Sequence, residues 1–406
     1  MQRVRMSLPA FVAAGWDVTV LTVDDPSPLG PVEPALLDTV PAAVRVARAR
    51  CYSRTWTRWL GIGNVALRAL PSLFLTGCRL LAGRRYDAIY FSTTMFIVLP
   101  FGRIWRWLYG VPYVIDLQDP WVTDFYEKPG APPAPGGWKY RVSRRLGLLL
   151  EGWTLRRAAH LITVSAAYQE TLRARYPDLQ RLPATELPFG SPDPDLAQLR
   201  ATQGDRAAIL PAGGFRLAFA GALGPGMLGL VEVLFAAIAA LRRESADVSV
   251  HFFGTSYSGD RAARPVTLAL AEKAGVAGCV HEQPGRLPYF SALQVTLETD
   301  ANLILGSTDL AFTPSKILAV QAAGRPVLAL GYAGSAMAGR LAKHGLPCVL
   351  QTPGADDGAA VTATVAALRR LLAGRETPVP PPPGTSASAL AQRQLEIFAA
   401  VAAAQP

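Results

Sequence analysis

Four stretches of the chain hold residue types and spacings that could do chemistry. FAGALGPGMLGL (219–230) sets Gly221, Gly224, Gly226 and Gly229 between an apolar run and a helical pattern. Glycine lets a backbone approach a ligand closely, and a helix start offers free N–H groups to a phosphate. The spacing is not Gly-x-Gly-x-x-Gly, so it does not point to a nicotinamide cofactor, and a plain tight turn explains it equally well. STDLAFTPSKILAVQAAGRPVLAL (307–330) contains Thr313-Pro314-Ser315, which predicts a helix start with Thr313 as cap and Pro314 in the first turn. Lys316 then falls in that first turn, where a cation opposes the helix dipole. A bound diphosphate would justify it there; an ordinary surface lysine is the plainer explanation. In DLQDPW (116–121), Asp116 and Asp119 lie three residues apart with Trp121 beside them. Such a set can hold sugar hydroxyls, the acids by accepting hydrogen bonds and the indole by offering a flat face, or it can be a turn capped by Asp119. Finally, residues 64–85 and 138–160 mix Arg, Leu and Trp on helical patterns. Basic amphipathic helices with aromatics suit an anionic lipid surface, while a core face backed by a solvated basic face is the commoner arrangement.

The elements that must position these residues alternate along the chain. Apolar runs rich in Val, Ile, Phe and Tyr predict strands at 17–23, 87–92, 113–117, 161–164, 215–220, 248–253, 301–305 and 326–330. Helical patterns fall at 64–82, 95–109, 138–158, 228–244, 264–274, 288–298, 314–323 and 335–344. This alternation predicts α/β architecture with parallel sheets covered on both faces. Pro188, Gly190, Pro192 and Pro194 open a break that Pro211, Gly213 and Gly214 close. We therefore expect a doubly wound domain over 1–190 and a second over 191–376, facing each other across a cleft. Residues 377–406 would be a Pro-rich linker and a helix that docks back on the body. The chain starts in a helical pattern (Gln2–Ala14), so the first strand of the N-terminal domain is expected to be missing.

Composition bounds the class. With 406 residues, 50% hydrophobic and only 17% charged, the chain can bury two cores and is neither disordered nor a coiled coil. Cys51, Cys78, Cys279 and Cys348 form no Cys-x-x-Cys pair, and His160, His251, His281 and His344 no His-x-x-x-His pair, which argues against disulfide and metal scaffolds. The thiols suit a reduced, cytoplasmic setting. Leu217–Leu241 is apolar enough to suggest a membrane span, but its central glycines predict a buried strand, loop and helix instead. Residues 1–200 hold 24 Lys and Arg against 16 Asp and Glu, and residues 201–406 hold 16 against 14. The basic excess therefore belongs to the first half. No nucleic-acid module appears, so an anionic membrane surface or an anionic substrate is the better match.

Taken together, the residues resemble the retaining glycosyltransferases of family 4, which have the two-domain GT-B fold. GWDVTVLT (15–22) looks like a second strand of such proteins, VIDLQDPW (114–121) like the Asp-x-Arg-Asp-x-Trp element of a polysaccharide-related subgroup, and HLITVSAAYQETL (160–172) like the strand and helix closing the first domain. LPFGSPD (187–193) resembles the interdomain link, FAGALGP (219–225) the donor loop, and FTPSKILAVQAAGRPVLAL (312–330) the donor-side helix.

The resemblance implies transfer of a sugar from a nucleotide-sugar to a glycan or lipid-linked acceptor in cell-surface polysaccharide or glycolipid synthesis, in the cytoplasm or at the inner membrane face. It implies a donor site of Gly221, Ala222, Gly224, Arg286, Thr313, Ser315 and Lys316, an acceptor side of Asp116, Asp119 and Trp121, and catalytic roles for Asp119 and Lys316. No cofactor or metal is expected. The glutamate pair of the family corresponds here to Ala311 and Ala319, its donor-loop cations to Ala222 and about Leu228, and its arginine to Gln118. Those departures keep open a catalytically inactive GT-B-like binding or assembly protein and, more weakly, a sugar-nucleotide epimerase.

Overall fold

The computed structural model describes residues 2–25, 33–57, 63–124, 127, 137–256, 263–310, 312–352 and 357–404. The chain divides into two compact units, one of Met1–Pro28, Pro34–Phe189 and Ala387–Pro406, the other of Leu29–Glu33 and Gly190–Ser386.

The first unit opens with α1 (Gln2–Ala13), followed by β1 (Thr19–Asp24), β2 (Arg45–Arg50), α2 (Arg54–Thr57), α3 (Val65–Gly83), β3 (Ile89–Ser92), α4 (Pro100–Tyr109), β4 (Tyr113–Leu117), α5 (Trp138–Leu155), β5 (His160–Thr163), α6 (Ala166–Arg175) and β6 (Ala184–Glu186). Its strands are all parallel but fall into two sheets, β1-β2 and β3-β4-β5-β6. No strand joins them among the described residues. Every residue of β4 is buried, as befits a central parallel strand covered on both faces. The helices start and stop where local chemistry directs. Asn64 caps α3 by accepting from the Ala66 amide at 2.8 Å, Ser165 caps α6 through Ala167 at 3.3 Å, and Gly110 ends α4 at φ +75°.

The second unit runs α7 (Asp193–Ala201), β7 (Phe215–Ala220), α8 (Leu228–Arg243), β8 (Val248–Phe253), α9 (Leu268–Lys273), β9 (Val280–Gln283), α10 (Tyr289–Glu298), β10 (Ala301–Leu305), α11 (Ile317–Ala322), β11 (Val327–Tyr332), α12 (Ala336–Lys343), β12 (Val349–Gln351) and α13 (Gly358–Leu372). One parallel sheet of order β12-β11-β10-β7-β8-β9 forms its centre. Its core packs Leu217, Phe219, Leu234, Phe235, Ile238, Phe252 and Leu368. The apolar stretch 217–241 is therefore a buried strand, loop and helix, as its glycines predict.

Residues 377–406 do not act as one piece. The Pro-rich segment belongs to the second unit, where Gln321 Nε2 donates to the carbonyls of Val379 and Pro380 at 3.4 and 3.2 Å. The last helix, α14 (Ala387–Ala403), belongs to the first and packs on α1. Phe398 meets Phe11, Trp16 and Tyr90 at ring separations of 5.6, 6.0 and 4.9 Å.

Candidate functional site

In the second unit the chain winds outward from β7 in both directions, to β8 and β9 on one side and to β10, β11 and β12 on the other. The carboxyl ends of β7 and β10 thus border the switch point at which such sheets take ligands. The loop leaving β7 begins at Gly221, whose φ of +155° is a conformation side chains disfavour. The Gly221 and Leu223 amides donate to the carbonyls of Phe253 and Thr255 at 2.8 and 2.9 Å. They extend the ladder to β8, so the Gly221 amide is not offered to a ligand, contrary to the expected cradle. Ala222 and Gly224 stand half-buried in the same loop. The loop leaving β10 is tied alongside, with Thr308 N–H donating to the Gly226 carbonyl at 2.9 Å. A β-carbon on Gly226 would come within 2.6 Å of Thr308 Oγ1, which requires glycine there.

Lys316 joins these loops. Its Nζ donates to the Ala220 carbonyl at 3.1 Å and sits 3.2 Å from the centre of the Phe219 ring. A β-carbon at Gly221 would lie 3.0 Å from the same nitrogen. The ammonium is thereby held at the carboxyl end of the strand that centres the sheet. Burial without a facing carboxylate pushes it down to about 7. The expected helix start is corrected: α11 begins at Ile317, Thr313 caps nothing, and Lys316 occupies the cap position without a side-chain cap bond. The lysine side chain is drawn across to β7 instead, and Ser315 stays exposed in the preceding turn. Position 311 lies outside the described residues, and Ala319 sits half-buried in α11.

Arg286 is exposed in the segment after β9. That segment is fixed against the end of β8 by Gly254 N–H donating to Gln283 and Ser256 N–H to Pro284, at 2.9 and 3.1 Å. A residue that sequence reasoning missed is Glu282. Its carboxylate accepts from the amides of Val266 and Thr267 at 3.0 and 2.8 Å, from Thr267 Oγ1 at 2.6 Å and from the Thr255 hydroxyl. It anchors chain on both sides of the 257–262 segment, and its place within His-Glu-Gln gives no hint of that. No group of three or more His, Cys, Asp or Glu residues suited to a metal occurs among the described residues.

In the first unit, Asp116 and Asp119 part company. Asp116, fully buried at the end of β4, accepts from Tyr90 and Ser92 at 2.8 Å each and from Gln118 at 3.2 Å, and pairs with Arg3 Nε at 3.2 Å. Tyr90 in turn accepts from Gln394, which accepts from Ser7, so the carboxylate ties β3, α1 and α14 together. It is a buried anchor with no face toward an acceptor. Asp119 is exposed. Its charge helps raise the pKa of the Tyr168 phenol, after burial as the larger cause. Trp121 is half-buried, with its ring stacked on Phe96 at 5.8 Å and 14°. The geometry thus leaves Asp119 as the carboxylate of the motif that can meet a solute, and Trp121 as its partly covered neighbour.

Residues 2–190 match the family described as glycosyl transferase 4-like domain. No curated protein matches the chain by sequence. Among solved structures, sucrose-phosphate synthase from Thermosynechococcus elongatus superposes with a TM-score of 0.57 at 16% identity, covering 99% of this chain and 90% of that one. WaaG, a glycosyltransferase involved in lipopolysaccharide biosynthesis, gives 0.53 at 17% identity, covering 100% and 91%. Anabaena HepE in complex with UDP gives 0.51 at 19%, covering 94% and 100%. The likeness to that family therefore lies within the first unit, and the fold is GT-B with two Rossmann-like domains.

Proposed function

We propose that this family 4-like protein of GT-B fold transfers a sugar from a nucleotide-sugar donor to a glycan or lipid-linked acceptor. The observation that carries the proposal is the Lys316 ammonium, held against Gly221 at the β7/β10 switch point. As a glycosyl bond breaks, positive charge grows on the sugar and negative charge on the departing diphosphate. A cation already in place beside that diphosphate favours the transition state without reorganising, at about 2–4 kcal/mol for one well-placed group. The second unit would hold the nucleotide, with Arg286 as a further cation. The first unit would present the acceptor near Asp119. HepE, whose structure superposes on this chain with a TM-score of 0.51, was solved in complex with UDP, and this supports nucleotide binding here.

A second reading, a donor-binding GT-B-like protein without turnover, is favoured by Ala222, Leu228 and Ala319 at positions where the family carries charge, and by the Gly221 amide being spent on β8. Sugar nucleotides of UDP, GDP, ADP and dTDP, screened by thermal shift and by release of nucleoside diphosphate, test both. Stabilisation by one donor with acceptor-dependent release supports transfer. Stabilisation without release supports the binding protein. No shift with any donor contradicts both.

A further inference from the structure

Two histidines meet where β9 ends the second unit's sheet. Strand β9 pairs only with β8, and His251 of β8 lies opposite His281 of β9 in their parallel register. The two imidazole rings stack at 4.7 Å and 16°. His251 is 3% exposed, and its Nε2 shares a hydrogen bond with Ser249 Oγ at 3.0 Å. His281 is exposed. Both rings line a cleft of about 240 Å³ together with Ile209, Pro211, Phe253 and Gln283. The charged groups around His251 do not offset a proton on it. Arg216 of β7 shares its face of the sheet and pairs with Asp300 at 2.8 Å. Glu298 of α10 accepts from the amides of Ile209 and Leu210 at 2.8 and 2.9 Å. Glu282, one residue beyond His281, alternates to the opposite face, where Val266 and Thr267 hold it. Among the described residues no carboxylate bonds either ring.

We propose that the His251–His281 pair is an acid-sensitive latch on β9: a proton taken up by the buried ring breaks the stack and frees this edge of the sheet. A cation at 251 would lie beside a second imidazole and Arg216, out of water and without an acid to pair with. Burial first, and then His281 and Arg216, push the His251 imidazole down to about 4, against 6.5 when unfolded. The folded value is the depressed one, so the opened form binds more protons between the two values. The latch therefore holds fully above that window and loosens as pH falls through it. More than one strand depends on it. Glu282 of β9 anchors Val266 and Thr267, and the carbonyls of Gln283 and Pro284 accept from Gly254 and Ser256 at 2.9 and 3.1 Å. Opening β9 thus loosens the segment that leads to Arg286. The inference stands apart from the donor chemistry.

The test is amide hydrogen exchange of the full chain, read by mass spectrometry at about pH 7.5 and about pH 4.5 and corrected for intrinsic rates. The expected result is that protection of residues 280–286 falls about tenfold or more in acid while β7 keeps its own. His251→Phe, which retains a flat ring without a titrating nitrogen, should keep 280–286 protected at both pH values. His281→Gln, at an exposed position where folding is not at stake, should make the acid loss smaller. Unchanged protection in the wild type, an equal loss in β7, or a full loss in either variant would overturn the proposal.

Discussion

A β-carbon on residue 221 would stand 3.0 Å from Lys316 Nζ, although 95 residues separate the two in sequence. The loop after β7 and the lead-in to α11 therefore form one site, and glycine at 221 is what lets the ammonium reach the strand end. Gly221→Ala should act twice. The φ of +155° strains any side chain there by about 1–3 kcal/mol, and the new methyl crowds the ammonium and makes it give way slightly. The expected outcome is a melting temperature lower by several degrees together with weaker nucleotide binding, read by thermal denaturation and calorimetry.

Lys316→Met keeps the aliphatic contact with Phe219 and removes the charge. Because burial holds the folded ammonium near 7 against 10.5 when unfolded, the unfolded chain binds more protons between these values. Wild-type stability should therefore gain from this group as pH rises through that window, and Lys316→Met should lose that component of the slope. Urea denaturation at several pH values measures it.

Nucleotide binding should carry the opposite dependence. A diphosphate needs the ammonium form, so above pH 7 binding takes up a proton, and Kd weakens toward about tenfold per pH unit. Calorimetry in buffers of different ionisation enthalpy counts that proton. A pH-independent Kd in the wild type would separate Lys316 from the ligand.

The two carboxylates of the Asp-Leu-Gln-Asp stretch should fail in different ways. Asp116→Ala leaves Arg3 charged, buried and without its partner, at a cost of about 3–5 kcal/mol of stability. Asp119→Ala, at an exposed position, should stay within about 0.5 kcal/mol of wild type and lose transfer while keeping donor binding. Denaturation separates the first from the second, and transfer assays check the second.

The last helix should be integral to the first unit. Phe398→Ala removes a ring packed among Phe11, Trp16 and Tyr90, at about 3–5 kcal/mol. Near-ultraviolet circular dichroism and urea melting should both register the loss.

Legibility in the sequence followed burial. Tyr113–Leu117, Phe215–Ala220, Val248–Phe253 and Ala301–Leu305 lie as expected to the residue, because central parallel strands are mostly apolar runs, each here holding only one or two polar residues. Arg45–Arg50 was not legible: RVARAR alternates arginine with small apolar residues and pairs only with β1. The short strands Ala184–Glu186 and Val349–Gln351 are edges of their sheets with almost no pattern to read. At the site, the sequence pointed to Lys316 but misplaced its surroundings. Thr313-Pro314-Ser315 has good capping chemistry, yet the helix starts only at Ile317, and the Lys316 side chain reaches to the Ala220 carbonyl of β7. Likewise, spacing could not tell that Asp116 turns inward to Arg3 while Asp119 turns out.

The most direct measurement is a calorimetric titration of UDP, GDP, ADP and dTDP into wild-type protein and Lys316→Met at neutral pH. We expect one of these nucleotides to bind the wild type and to bind Lys316→Met at least about tenfold more weakly, the loss of a charged hydrogen bond being worth roughly 1.5–3 kcal/mol. Equal affinity in the two proteins, or no binding by the wild type at millimolar nucleotide, would contradict this expectation.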